Sequence, residues 1–214
     1  GSSGFETSNV DSSIEKLSVS RVQLGNQTSA TIDYAITGAA EFAAVSVDLG
    51  AATLDADSTI QVSGSQGSQQ ISFSAGSTLQ EIADAVDALN ENTGVTARLD
   101  TAANSIVFSS TEVGSDASVK IDDIDGNGKL LGTIASATNT LATASDKGSD
   151  IQGTINGAVS QGVGRTLSIN TPGFTGAISF DYATAAGTTT ATASNASQGI
   201  TGRDAARVAP GALP

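Results

Sequence analysis

Thr78-Leu79-Gln80-Glu81-Ile82-Ala83-Asp84-Ala85-Val86-Asp87-Ala88-Leu89-Asn90 is the one stretch of this chain whose apolar residues keep a helical period. Leu79, Ile82, Ala83, Val86 and Leu89 recur at spacings of three and four and line one stripe, while Gln80, Glu81, Asp84 and Asp87 face the other way. Both ends are marked. Ser77 or Thr78 supplies an N-cap oxygen, and Gln80 or Glu81 can return a hydrogen bond to it, with acidic side chains toward the positive end of the helix dipole. Asn92-Thr93-Gly94 stops the helix, because glycine accepts the left-handed conformation that a terminating residue needs.

Outward from that helix the period drops to two. Short runs alternate apolar and polar residues between clusters of Gly, Asn, Asp and Ser: 17–24, 30–36, 43–49, 59–62, 69–73, 95–99, 105–109 and 118–121, then 151–155, 165–169 and 177–182. In Ile178-Ser179-Phe180-Asp181-Tyr182 the apolar side chains fall on one face, as a half-buried antiparallel strand requires. The expected fold class is therefore α+β, predominantly antiparallel β with one main amphipathic helix, in two β-rich subdomains. A chain of 214 residues can bury such cores without disulfides or metals. The Gly-, Ala-, Ser- and Thr-rich stretch after residue 126 places the boundary. The reading is a junction at 1–16, a first subdomain at 17–125, a linker at 126–147, a second subdomain at 148–197 and an extended tail at 198–214. Residues 188–197 read as a weak strand or a tail.

Composition narrows the function. The net charge is −13, from 22 acidic and 9 basic residues, so the chain is mismatched to nucleic acid and to anionic membranes. No run approaches the roughly 20 consecutive apolar residues of a membrane helix. Cysteine, histidine, tryptophan and methionine are absent, which removes the usual nucleophile, general base and zinc ligands. The lack of methionine leads us to expect an internal piece of a longer protein. Gly1-Ser2-Ser3-Gly4 reads either as a cloning remnant or as a native junction and is set aside. Only 14% of residues are charged, so the surface must be built largely from Ser, Thr, Asn and Gln.

Thr59-Ile60-Gln61-Val62-Ser63-Gly64, then the stretch 69–90, then Gly94-Val95-Thr96-Ala97 read as hairpin, capped helix and returning strand. This unit resembles the flagellin hook IN motif, found in flagellins with enlarged outer regions and in the filament cap protein. Further pieces resemble other parts of the same outer region: Ile14-Glu15-Lys16-Leu17-Ser18-Val19, Ser115-Asp116-Ala117-Ser118-Val119-Lys120-Ile121, the stretch 148–157, and Arg165-Thr166-Leu167-Ser168-Ile169-Asn170-Thr171 as a second, degenerate unit. The resemblance runs over 7–182 and lacks the long terminal helices of the filament core. It implies a structural, non-enzymatic, secreted surface domain of the bacterial flagellum. Other copies of the same flagellin and O-linked glycans would be its partners. An outer domain of the cap or of a hook–filament junction protein shares the motif and remains an alternative.

The candidate chemistry is sparse. Asp123, Asp125 and Asn127 occupy the first, third and fifth positions of a calcium loop, with Gly128 sixth, but the twelfth position is Ile134 and no helix pair flanks it. The stronger reading is an acidic hairpin turn. A calcium-binding adhesin module is the alternative from another class. Asp84 with Asp87, and Asp122 with Asp123, are carboxylate pairs of the kind glycoside cleavage uses, yet the first pair lies on the solvated side of the helix and the second begins a turn. Gly162-Val163-Gly164 lacks the lysine and helix of a phosphate loop and reads as a hairpin turn. Asn26-Gln27-Thr28 and Asn195-Ala196-Ser197 match an N-glycosylation pattern and read as incidental in a bacterial protein. Phe5, Phe42, Phe73, Phe108, Phe174 and Phe180 read mostly as core. No catalytic residue, metal ligand or cofactor is assigned.

Overall fold

The structure, a computed structural model, describes residues 5–8, 12–23, 29–126, 130–132, 142–186 and 198–202. The chain runs through β1 (Phe5–Ser8), β2 (Ile14–Val22), β3 (Ser29–Ile32) and β4 (Tyr34–Gly38). It then forms β5 (Phe42–Asp48), β6 (Ser58–Gly64), β7 (Gly67–Phe73), α1 (Leu79–Asp87), α2 (Asn90–Thr93), β8 (Val95–Asp100), β9 (Ser105–Val113), β10 (Ser118–Asp123) and β11 (Thr143–Lys147). It ends with β12 (Gln152–Ile155), β13 (Ala158–Val163), β14 (Thr166–Asn170), β15 (Phe174–Phe180), α3 (Tyr182–Ala185) and β16 (Gln198–Gly202). All strand pairs are antiparallel, as the alternating pattern requires.

Contacts divide the chain into two units, one nested in the sequence of the other. Unit 1 comprises 1–41 and 150–214, and unit 2 comprises 42–149. This is not the linear split into 17–125 and 148–197. Strand β2, assigned by sequence to the first subdomain, pairs along its length with β15, and β4 pairs with β12. Of the expected linker at 126–147, β11 is a ladder strand against β10. Of the expected tail, β16 lies between β1 and β3. The 188–197 stretch lies outside the described residues.

Unit 1 holds a six-stranded sheet in the order β2-β15-β14-β13-β12-β4 and the three-stranded sheet β1-β16-β3. On β15, Phe174, Gly176, Ile178 and Phe180 are buried, while Thr175, Ala177 and Ser179 between them are only half-buried. Opposite them on the neighbouring strands lie Val22, Ile14 and Leu167. Tyr34 packs on Phe180 with ring centroids 5.0 Å apart and planes at 56°, the tilted arrangement aromatic rings favour. The expected strand 177–182 stops at Phe180, because the Asp181 carboxylate accepts a hydrogen bond from Thr184 N at 2.7 Å and caps a helical turn. Tyr182 therefore leaves the core and is partly exposed.

Unit 2 holds a four-stranded sheet, β11-β10-β6-β7, and a three-stranded sheet, β5-β9-β8. One core joins them with α1: Val45, Val47, Ile60, Val62, Leu79, Ile82, Ala83, Val86, Val95, Ile106, Phe108, Val119 and Ile121 form a single buried cluster. The Asp146 carboxylate ties β11 to β5 by accepting from Ala44 N at 2.9 Å.

Candidate functional site

The hairpin–helix–hairpin of unit 2 is the most specified part of the molecule. β6 and β7 pair in continuous register from Ser58 opposite Phe73 to Gly64 opposite Gly67. Thr78 is the N-cap: its Oγ1 accepts from Glu81 N at 3.2 Å, and the Glu81 carboxylate accepts from Thr78 N at 2.8 Å. That reciprocal pair satisfies two backbone donors the first turn would otherwise leave unpaired. The stripe read from sequence is buried at Leu79, Ile82, Ala83 and Val86. Leu89 is only half-buried, because α1 ends at Asp87 and the chain turns into the separate short helix α2. Gly94 then adopts φ 76°, left-handed as expected, and releases the chain into β8.

Close backbone approach locks this unit together. Gln66 N donates to Thr93 O at 3.1 Å, joining the β6–β7 turn to the end of α2. A Cβ on Gly64 would lie 2.2 Å from Thr93 O and 2.7 Å from Val95 Cγ2, so no other residue fits that strand end without displacing the turn into β8.

The carboxylates singled out by sequence are engaged locally. Asp123 Oδ1 accepts from Asp125 N at 3.2 Å, and Asp125 Oδ2 accepts from Thr59 N at 2.9 Å, so both stabilise the chain leaving β10. Asn127, Gly128 and Ile134 lie outside the described residues, and among the described residues no three His, Cys, Asp or Glu side chains cluster as metal ligands. Asp122 accepts from Thr143 Oγ1 at 2.7 Å and pairs with Lys120 at 3.4 Å. On the helix, Asp84 accepts from Gln80 Nε2 at 2.7 Å and Asp87 from Ala97 N at 3.3 Å, so neither is directed at the other. Gly164, with φ 59°, makes the turn from β13 to β14, and its N–H donates to Asp150 at 2.8 Å. Asn26 and Thr28, and Asn195 and Ser197, lie outside the described residues. Phe108, Phe174 and Phe180 are buried and Phe73 is half-buried, while Phe42 is partly exposed.

Sequence reading passed over two features. Arg165 gathers three partners: the Glu15 carboxylate, the Phe180 carbonyl at 2.8 Å and the Tyr182 ring, 4.0 Å from its guanidinium carbon. Val159 on β13 is 88% exposed and Val163 is also exposed. A shallow concavity of about 580 Å³ beside Val159 is lined by Ser18, Gln161, Ser168, Asn170 and Thr175 among others, and no ionisable side chain lines it. No helix among the described residues is long and apolar enough to cross a membrane.

Fold and site together define a two-unit antiparallel β protein whose inner unit carries a capped helix between two hairpins. That segment is similar to the flagellin hook IN motif: the family model so described matches residues 59–112, about a quarter of the chain. A crystal structure of the flagellar cap protein FliD from Bdellovibrio bacteriovorus is similar to the chain at a TM-score of 0.47 and 13% identity, covering 85% of this chain and 99% of that one. No curated protein matches the chain by sequence.

Proposed function

We propose that this chain is the outward-facing structural region of a flagellin, displayed on the extracellular filament and devoid of catalysis. The observation that carries this reading is the match to the flagellin hook IN motif at 59–112, set on a unit with one continuous buried apolar core. The nested topology supports it. β1 and β16 pair with Phe5 opposite Gly202, so an early and a late strand of unit 1 run side by side, as a region looped out of a continuous stalk requires. The surface chemistry agrees: exposed hydroxyls and carboxyls suit contact with water, neighbouring copies and O-linked sugars rather than with nucleic acid or membranes. The absence of histidine and cysteine and the local engagement of the candidate carboxylates support a non-enzymatic role.

An outer domain of a flagellar cap or hook–filament junction protein carries the same motif and is the second reading. Gold-labelled antibody against this chain, applied to the cells that make it and viewed by electron microscopy, separates them. Label along the whole filament is the expected result. Label confined to the tip or to the hook junction supports the second reading, and label away from flagella overturns both.

A further inference from the structure

A sheet edge is a hazard that proteins manage with charge, proline, bulges or brevity. Most edges here are managed. β2 carries Glu15, Lys16 and Arg21 and two register shifts against β15. β8 carries Arg98 and Asp100, and its Ala97 N–H is taken by the Asp87 carboxylate. The edge at β5 is tied by Asp146, and β11 carries Asp146 and Lys147. β1, β3 and β4 have only four, four and five residues.

β7 has no such guard. It is the outer strand of the sheet β11-β10-β6-β7, and its seven residues, Gly67-Ser68-Gln69-Gln70-Ile71-Ser72-Phe73, include no charge and no proline. Its ladder with β6 runs without a register shift, so the strand is not bent away. Among the described residues its backbone hydrogen-bonds to β6 alone, and the N–H and C=O groups on its other side have no partner among those residues. Buried backbone groups are almost always paired, and Ser68, Gln70 and Ser72 of this strand are exposed. This occurs in a unit where the chain carries 14 acidic and four basic residues, which makes an uncharged seven-residue edge the more conspicuous.

We propose that β7 is an assembly edge, and that its occupant is β7 of a second copy, added antiparallel about a two-fold axis to join two four-stranded sheets. The sequence of the strand favours its own copy. Ser68, Gln70 and Ser72 are exposed on one face, and Gly67, Gln69, Ile71 and Phe73 are half-buried on the other. Antiparallel self-pairing keeps like faces together only in certain registers, and the one centred on Gln70 does so over all seven residues. It sets Gln70 on its counterpart, Ser68 on Ser72 and Gln69 on Ile71, with no charge opposite a like charge. Such a contact is closed, so it yields dimers and not open fibres. It does not depend on the flagellar reading.

Sedimentation equilibrium of the whole chain from micromolar to millimolar concentration tests the edge, together with cysteine cross-linking, for which the native chain offers no background thiol. The expected result is a reversible monomer–dimer equilibrium that tightens from about 0.15 M to about 1 M salt, as repulsion between acidic copies is screened. Gln70→Lys should weaken it about tenfold or more by placing like charges opposite each other, while Gln80→Lys, the same charge change on the exposed side of α1, should not. Mere relief of acidic repulsion would make Gln70→Lys associate more tightly, so the direction of the change decides. Gln70→Cys should give a disulfide dimer readily under mild oxidation, since directly opposed strand residues have Cα atoms about 4.5–5.5 Å apart, within disulfide reach. A chain monomeric throughout, a Gln70→Lys variant that dimerises as well as the parent, or a Gln70→Cys variant that cross-links no faster than Gln80→Cys overturns the proposal.

Discussion

Replacing Ile82 by alanine tests whether α1 is part of the core of unit 2 and whether that unit unfolds by itself. Ile82 is fully buried in the cluster that joins α1 to both sheets. Removing most of such a side chain costs about 2–5 kcal/mol, transfer and cavity terms together. With a middle value of about 3 kcal/mol and a urea m-value of about 2 kcal/mol/M, the midpoint should fall by about 1.5 M. The chain provides a selective reporter. Its two tyrosines, Tyr34 and Tyr182, both belong to unit 1, and it has no tryptophan, so intrinsic fluorescence follows unit 1 while far-UV circular dichroism follows both. The expected outcome is a dichroism transition that splits or moves to lower urea while the tyrosine transition stays in place. A tyrosine midpoint displaced as far as the dichroism midpoint would mean that the two units unfold as one. A dichroism shift below about 0.5 M would mean that the helix does not hold the sheets together.

Thr78→Ala removes the side-chain half of the capping box and should lower the stability of unit 2 by about 1 kcal/mol, read as a lower dichroism midpoint with tyrosine fluorescence unchanged. Gly64→Ala drives a methyl into Thr93 O and Val95 Cγ2 and should cost about 1–3 kcal/mol, with amide shifts centred on 92–95; a silent substitution there would contradict the close approach. Arg165→Ala should destabilise unit 1 by about 1–2 kcal/mol through loss of the ring stacking and the Phe180 carbonyl bond, seen in the tyrosine transition and not restored by lysine. Millimolar calcium should leave the melting temperature unchanged, because Asp123 and Asp125 are spent on backbone donors; a rise would revive the metal-dependent reading.

What was legible in the sequence was local. α1 declared itself because its period and its cap agree and the capping atoms make the observed hydrogen bonds, while the expected stop at Gly94 ends the short α2 that follows. β6, β7, β9 and β15 followed from alternation that matches burial. β13 was missed for a physical reason: its pattern is inverted. Val159 and Val163 face solvent, while Ala158, Ser160 and Gly162 turn inward, and a Cβ on Gly162 would sit 1.6 Å from Ile151 O. The space there admits no larger side chain, so the strand cannot carry the apolar signature of a buried face. β11, with Ala144 as its one apolar residue, was absorbed into a presumed linker for the same lack of signature.

The nesting of the two units was illegible for a different reason. Alternation states which residues face inward and leaves open which strand lies beside which. β2 finds its partner, β15, far along the chain, with Leu17 opposite Ile178, and nothing in the local pattern of either strand names the other. Composition then misled, since the small-residue stretch after 126 resembles a boundary while the chain leaves unit 2 only at 149. Charge marks one of the two boundaries. Unit 2 holds 14 acidic and four basic residues, a net of −10, and unit 1 holds eight and five, a net of −3. Charge density breaks near 150, where the neutral stretch 150–214 begins, but not near 42, because 1–41 already carries a net charge of −3. That asymmetry also bears on assembly: copies packed side by side meet least repulsion through unit 1, and a contact made within unit 2 must be built from neutral groups, as the edge at β7 is.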